Sequence, residues 1–261
     1  MVDLLEAAQI AQWREAGWLS MPGALDGEQL TVARHGIESA TAWAGQDDGP
    51  GLHHWEMTDS GPALARSEDL IPHHDGLRAL LCAGTLLDIA SQLLGEEAVL
   101  FKEKVNYKQP GGAGFAPHQD ASAYRFADHH VSCMLPIDVA DATTGCLSVV
   151  SGAHHGFLPR DEGGRVREDV AATLEWELAP VEPGDLLWFD SYTPHRSGSN
   201  NGDSARRALY LTYNARSAGD HRDRYYEDKR NEFATAGDTF SGERVRLSIT
   251  DDFLGRPVHR P

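Results

Sequence analysis

His118 and Asp120 stand two residues apart in the run FKEKVNYKQPGGAGFAPHQD, residues 101–120. In an extended segment such residues point the same way, so an imidazole and a carboxylate are aimed at one point. They make up two thirds of a 2-His-1-carboxylate facial triad, the ligand set of non-haem Fe(II) oxygenases. A lone His-x-Asp is more often a surface loop than a metal site. The third ligand has to come from elsewhere in the chain.

The elements around these residues supply a candidate. Phe101, Glu103, Val105 and Tyr107 alternate with Lys102, Lys104 and Asn106, the pattern of a strand, and Pro110-Gly111-Gly112 ends it. His195 follows a second apolar strand, Leu186 to Phe189, on a segment stiffened by Pro194. Arg206-Arg207 then opens the strand Ala208 to Tyr213. In a jelly roll, neighbouring antiparallel strands could bring His195 beside His118 and Asp120. An arginine deeper in the barrel could grip a carboxylate in bidentate geometry.

The 261 residues suit one large domain, and 41% hydrophobic with 24% charged residues is ordinary for a globular chain. A formal net charge of -17 argues against nucleic acid and anionic membrane as partners, since both need a basic face. Cys82, Cys133 and Cys146 are too few and too scattered for a disulfide framework. With no visible signal peptide, they fit a reducing cytoplasm. Cys133 and Cys146 read as buried small residues.

Helical spacing predicts helices over residues 3–16, from Asp26 with Gln29 as its capping-box partner, and over 74–94 up to Gly95. Residues 45–63, which include His53, His54, Trp55 and Glu56, read as a Gly-, Asp- and Pro-rich loop. Candidate strands follow at 98–107, 131–138, 146–150, 174–179, 185–190 and 207–214. The expected fold is mainly β with flanking helices. Its parts are a helical N-terminal segment of about 1–96, a jelly-roll core of about 97–214 and an extension at 215–261, together one domain over 1–261. The segment 151–173 is too long for a hairpin loop and reads as a lid or binding loop, with His154 and His155 as loop residues.

Several blocks together resemble the phytanoyl-CoA dioxygenase family of Fe(II)- and 2-oxoglutarate-dependent oxygenases. They are His118-Gln119-Asp120, Gly145 to His154 (GCLSVVSGAH), Pro183-Gly184-Asp185, His195 to Asn200 (HRSGSN) and Arg206-Arg207-Ala208-Leu209. The resemblance covers about residues 98–214. It implies a double-stranded β-helix, the cupin-like jelly roll, with Fe(II) held by His118, Asp120 and His195. It also implies Arg206 on the distal carboxylate of 2-oxoglutarate, Asn106 at the other end of that co-substrate, and Lys104 close by. Arg206 is preferred to Arg207 because adjacent strand residues face opposite ways. Oxidative decarboxylation of 2-oxoglutarate with O2 would supply the oxidant for an unactivated C–H bond. Halogenating relatives carry a small residue in place of the carboxylate, so Asp120 favours hydroxylation.

On the substrate side, Lys102 and Lys104 share the face of Asn106, and buried ammonium groups need anionic partners. Tyr124 and Arg125, just beyond Asp120, are further pocket candidates. The strings 101–108 and 116–120 are similar to the branch that hydroxylates small organophosphonates such as 2-aminoethylphosphonate beside phosphorus. The expected substrate is therefore a small polar anion, with an organophosphonate leading. The alternatives are a hydroxylase of an amino acid or secondary metabolite, a cupin-like metal-dependent lyase or isomerase, and a non-catalytic binding jelly roll. The oligomeric state is not readable from the sequence.

Overall fold

The computed structural model describes residues 4–58, 61–124, 126–237 and 257–258. Helix α1 (Ala7–Ala16), strand β1 (Trp18–Met21) and helix α2 (Gly27–Ala44) come first, then a hairpin of β2 (Leu52–Thr58) and β3 (Gly61–Glu68). Helices α3 (Asp75–Cys82) and α4 (Gly84–Leu94) lead into β4 (Ala98–Lys108), β5 (Phe115–His118), β6 (His130–Pro136) and β7 (Leu147–Val149). After the short α5 (Glu168–Ala171) come β8 (Glu177–Ala179), β9 (Leu186–Asp190), β10 (His195–Ser197) and β11 (Arg206–Ala215). Helix α6 (Arg222–Gly237) and a two-residue β12 (Pro257–Val258) complete the described elements.

The strands form two antiparallel sheets. The larger runs β1-β9-β6-β11-β4-β3-β2-β12, and the smaller runs β5-β10-β7-β8. Non-sequential neighbours of this kind are what a jelly roll produces.

Strand alternation divides the interior in two. Cys133, Leu135, Leu186, Trp188, Leu209, Leu211, Tyr213 and Val105 point out of the large sheet into a core shared with Ile37, Leu77, Leu81, Leu86 and Ile89 of α2, α3 and α4. Their neighbours Met134, Leu187, Phe189 and Ala208 point the other way and pack on Cys146, Leu147, Val149 and Ala179 between the sheets. Both faces of β6 and β9 are thus covered, so these strands read as unbroken buried runs.

Three expectations need correction. Residues 45–63 are not all loop, because β2 and the start of β3 lie there, with His54, Glu56, Arg66 and Glu68 all buried. Beside Leu64 and Ala65, most of the hairpin's buried positions are polar or charged, so it carries no clear apolar alternation. Residues 74–94 are two helices. Ala83 is extended at φ -152° and Gly84 takes φ +64°, a left-handed conformation that glycine adopts without strain. Phe101 does not keep to the face of Val105. The β4–β11 register shifts beside it, and its ring packs on Tyr124, His130 and Tyr225. The Asp26–Gln29 capping box forms as expected, with bonds of 2.8 and 3.0 Å.

Candidate active site

His118 and His195 are direct partners across the β5–β10 pair. Their ring centroids lie 4.1 Å apart. Asp120 follows β5 at the start of a 3-10 turn, and its Oδ1 is 3.7 Å from His118 Nε2 and 3.9 Å from His195 Nε2. One ligand atom from each of the three residues lies within 4.8 Å of the others.

The tautomers are fixed from behind. His118 Nδ1 donates to the Ala116 carbonyl at 2.8 Å and His195 Nδ1 to the Thr193 carbonyl at 3.0 Å. A carbonyl only accepts, so each Nδ1 carries the proton and each Nε2 turns a lone pair toward Asp120. Burial, reinforced by His195, pushes His118 down to about 3, so it is neutral at neutral pH. Burial alone would raise Asp120, but His195, His118, Lys104 and Lys102 outweigh it and hold the carboxyl below its ordinary range. Ser132 Oγ donates to Asp120 Oδ2 at 3.1 Å. Two imidazole lone pairs and an ionised carboxylate converging in this way fit a divalent first-row metal.

Gln119, between the two motif residues, is fully buried and points away from them. Its amide donates to the Gly156 and Tyr192 carbonyls and accepts from the Leu158 backbone, so it ties the 151–173 segment to the motif. Val166 adds a backbone bond to Pro117, and Arg165 forms an isolated bridge with His118. His154 lies in that segment against Gly17, apart from the triad.

The triad opens into a cavity of about 450 Å³, including its mouth, lined among others by Lys102, Lys104, Asn106, Tyr124, Tyr210 and Thr212. Lys102 Nζ sits 4.7 Å above the Tyr124 ring, and Lys104 Nζ 5.5 Å from the Tyr210 ring. Neither lysine has a carboxylate partner among the described residues. Burial pulls Lys102 down to about 8, and burial with Arg66 and Lys102 lowers Lys104. Asp120 is the one acid in the lining. Arg125 lies outside the described residues.

Arg206 is 2% exposed and shares the strand face of Tyr210 and Thr212, both of which line the cavity. Its Nη1 donates to Tyr210 Oη at 3.3 Å, and its Nε has no hydrogen-bond partner among the described residues. Arg207 faces the other way and is held bidentately by Asp138 at 2.8 and 2.9 Å. Sequence reasoning missed Ser132, Tyr210 and Thr212. The period of two from Arg206 was the signal for the last two. It also missed Arg66, whose Nε donates to Asn106 Oδ1 at 3.3 Å.

A jelly roll with His-x-Asp and a distant histidine meeting between its sheets defines the 2-His-1-carboxylate class of oxygenases. The phytanoyl-CoA dioxygenase (PhyH) family model matches residues 13–208, and the chain belongs to that family. It is a non-haem iron dioxygenase, with Fe(II) as its metal and 2-oxoglutarate and O2 as co-substrates. The chain is 42% identical over 261 residues to a methylphosphonate hydroxylase of Gimesia maris, covering 100% of both chains. It is 35% identical over 257 residues to a 2-aminoethylphosphonate dioxygenase of an uncultured bacterium (HF130_AEPn_1), covering 96% of this chain and 97% of that one. Its fold is similar to that of EctD from S. alaskensis in complex with 2-oxoglutarate and 5-hydroxyectoine. The TM-score is 0.71 at 20% identity, covering 84% and 79% of the two chains.

Proposed function

We propose that the enzyme hydroxylates a small organophosphonate at the carbon bonded to phosphorus. The observation that carries this reading is the pair Lys102 and Lys104, two half-buried lysines lining one cavity, neither in an ion pair among the described residues. An incoming dianion reverses the penalty that burial places on their charge. The hydroxyls of Tyr124 and Thr212, 3.4 Å apart at the same wall, supply further donors. Holding the phosphonate end there directs the neighbouring carbon toward the triad, the orientation effect that catalysis needs.

In this reading His118, Asp120 and His195 hold the metal. When bound, the iron supplies the C–H-cleaving oxidant from O2 and 2-oxoglutarate, which leaves as succinate and CO2. Arg206 receives the distal carboxylate of 2-oxoglutarate, and its buried Nε, without a hydrogen-bond partner among the described residues, supports that role. Asn106 meets the other end of the co-substrate, and Lys104 stands between co-substrate and substrate. The sheets and the tethered 151–173 segment keep bulk water from the reacting groups.

The relatives act on a phosphonate with an amino group and on one without, as their names state. The cavity's charge favours the second kind. The sole acid in the lining, Asp120, is assigned to the triad, so the lining offers an ammonium tail no carboxylate. The same argument disfavours an amino-acid substrate. A cytoplasmic location, as the cysteine pattern suggests, belongs to the same proposal.

The test is succinate release with Fe(II), 2-oxoglutarate and a panel of methylphosphonate, ethylphosphonate, 2-aminoethylphosphonate, free amino acids and acyl thioesters. The expected result is stimulation by phosphonates, strongest for those without an amino group. Stimulation by amino acids or thioesters and by no phosphonate would overturn the substrate. Phosphonate conversion without succinate would favour the lyase alternative.

A further inference from the structure

Asn106 pairs across β4 with Arg66 of β3 and with Ala208 of β11, so the Arg66 and Asn106 side chains share one face of the sheet. Arg66 Nε donates to Asn106 Oδ1 at 3.3 Å, and Arg66 Nη1 donates to Glu68 Oε1 at 3.4 Å. Glu68 Oε2 in turn accepts from Lys229 Nζ of α6. Arg66, Glu68 and Asn106 are 2%, 1% and 6% exposed, so water cannot readily replace any of these partners.

A guanidinium has only donors, whereas an amide has a donor end and an acceptor end. With Arg66 on one side, the Asn106 oxygen must turn toward it, and the NH2 must turn toward the cavity that Asn106 lines. The opposite orientation would set the amide NH2 against a guanidinium and offer the cavity a lone pair. A carboxylate bound there needs donors and is repelled by that lone pair. The type of residue at position 66 therefore determines what Asn106 presents.

We propose that Arg66 is a positioning residue that fixes the Asn106 amide with its NH2 toward 2-oxoglutarate, and that Lys229 of the C-terminal helix supports it through Glu68. The inference rests on the reading that Asn106 contacts the co-substrate. It makes a strand and a helix outside the β5–β10 pair part of the co-substrate site. It also adds a third cation beside Lys104, whose charge Arg66 disfavours until an anion arrives.

The experiment is calorimetric titration of 2-oxoglutarate into Co(II)-loaded protein, which reads binding without turnover. The proteins are the wild type, Arg66→Met, Asn106→Ala, the double variant and Lys229→Met. The unfolding midpoint and Co(II) affinity of each report whether the fold and triad are intact. The expected result is a loss of about tenfold in affinity for each of Arg66→Met and Asn106→Ala, with the double variant no weaker than Asn106→Ala. Lys229→Met should give a smaller loss in the same direction. Additive losses in the double variant would overturn the relay, since Arg66 would then act other than through Asn106. Wild-type affinity in Arg66→Met would also overturn it. Wild-type affinity in Asn106→Ala would remove the reading of Asn106 itself, and the relay with it. If Arg66→Met does not fold, Arg66→Gln, whose amide can accept as well as donate and so no longer dictates the Asn106 orientation, runs the same cycle under the same criteria.

Discussion

At His118 and His195 the two ring nitrogens have separate duties: one is bound to a backbone carbonyl, and the other faces Asp120. Arg206 and Arg207 face opposite ways, the first buried beside Tyr210 and the second paired with Asp138. Arg206→Ala should weaken 2-oxoglutarate binding by about 2–5 kcal/mol, as expected for truncating one side of a buried charge pair. Arg207→Ala removes only the half-exposed pair with Asp138, so it should cost stability by about 1 kcal/mol or less and leave the co-substrate KM unchanged. Steady-state kinetics with urea unfolding on both variants separates the two roles. An elevated co-substrate KM in Arg207→Ala would show that the assignment is inverted.

Lys102 gives a pH prediction. Burial brings it down to about 8, so the empty enzyme carries the ammonium below that pH and loses it above. Because kcat/KM reports the free enzyme, kcat/KM for the phosphonate should fall as pH rises through about 8. In Lys102→Met that limb should be absent and the remaining rate low. A profile unchanged by the substitution would remove Lys102 from substrate binding.

At the scale of elements, the corner between α1 and β1 is locked to the segment after β7. Gly17 ends α1 at φ +78°, and a Cβ there would lie 2.4 Å from the His154 ring. Gly152 N donates to Ala16 O at 3.0 Å, and Trp18 Nε1 to Ser151 Oγ at 2.9 Å. Gly17→Ala should therefore cost at least about 1–2 kcal/mol from the left-handed backbone alone, plus displacement of His154. Asp26→Ala, which removes the α2 cap, should cost about 1 kcal/mol. Thermal unfolding measures both, and Gly17→Ala should show the larger drop.

How much of these elements was readable depended on what covers them. The strands β4, β9 and β11 announce themselves because apolar side chains fill at least one face. The meeting of His118, Asp120 and His195 was legible because their types and spacing follow a ligand pattern. The β2–β3 hairpin was not, because beside Leu64 and Ala65 its buried positions are the polar His54, Glu56, Arg66, Ser67 and Glu68, several of which pair with one another. Helix α6 was hidden for the same reason. Arg222 reaches Glu103 and Asp69, Lys229 reaches Glu68 and Arg230 reaches Asp69, so charge takes the place of an apolar stripe. Arg66 could not be placed beside Asn106 until the hairpin that carries it was known.

Across the whole molecule, the triad joins β5 to β10, segments 77 positions apart when counted from His118 to His195. A metal there binds the folded chain and not the unfolded one, so it stabilises by mass action. At a hundredfold excess over its Kd, Co(II) should add about 2.7 kcal/mol, and a chelator should remove it. The midpoint should rise with metal concentration in the wild type and stay flat in His195→Ala. A concentration-dependent midpoint in that variant would point to metal bound elsewhere.

Every bond that Gln119 makes to the 151–173 segment and to Tyr192 ends on a backbone atom: the Gly156 carbonyl, the Leu158 amide and the Tyr192 carbonyl. The tether therefore holds the path of the chain and is indifferent to the side chains on it. Residues such as Phe157 and Arg160 can therefore be exchanged without removing any of these three bonds. Chimaeras that import this segment from a relative, cut outside 156–158, should keep the metal affinity of the parent, read from the Co(II)-dependent unfolding midpoint. Gln119→Ala should loosen the segment in every one of them alike.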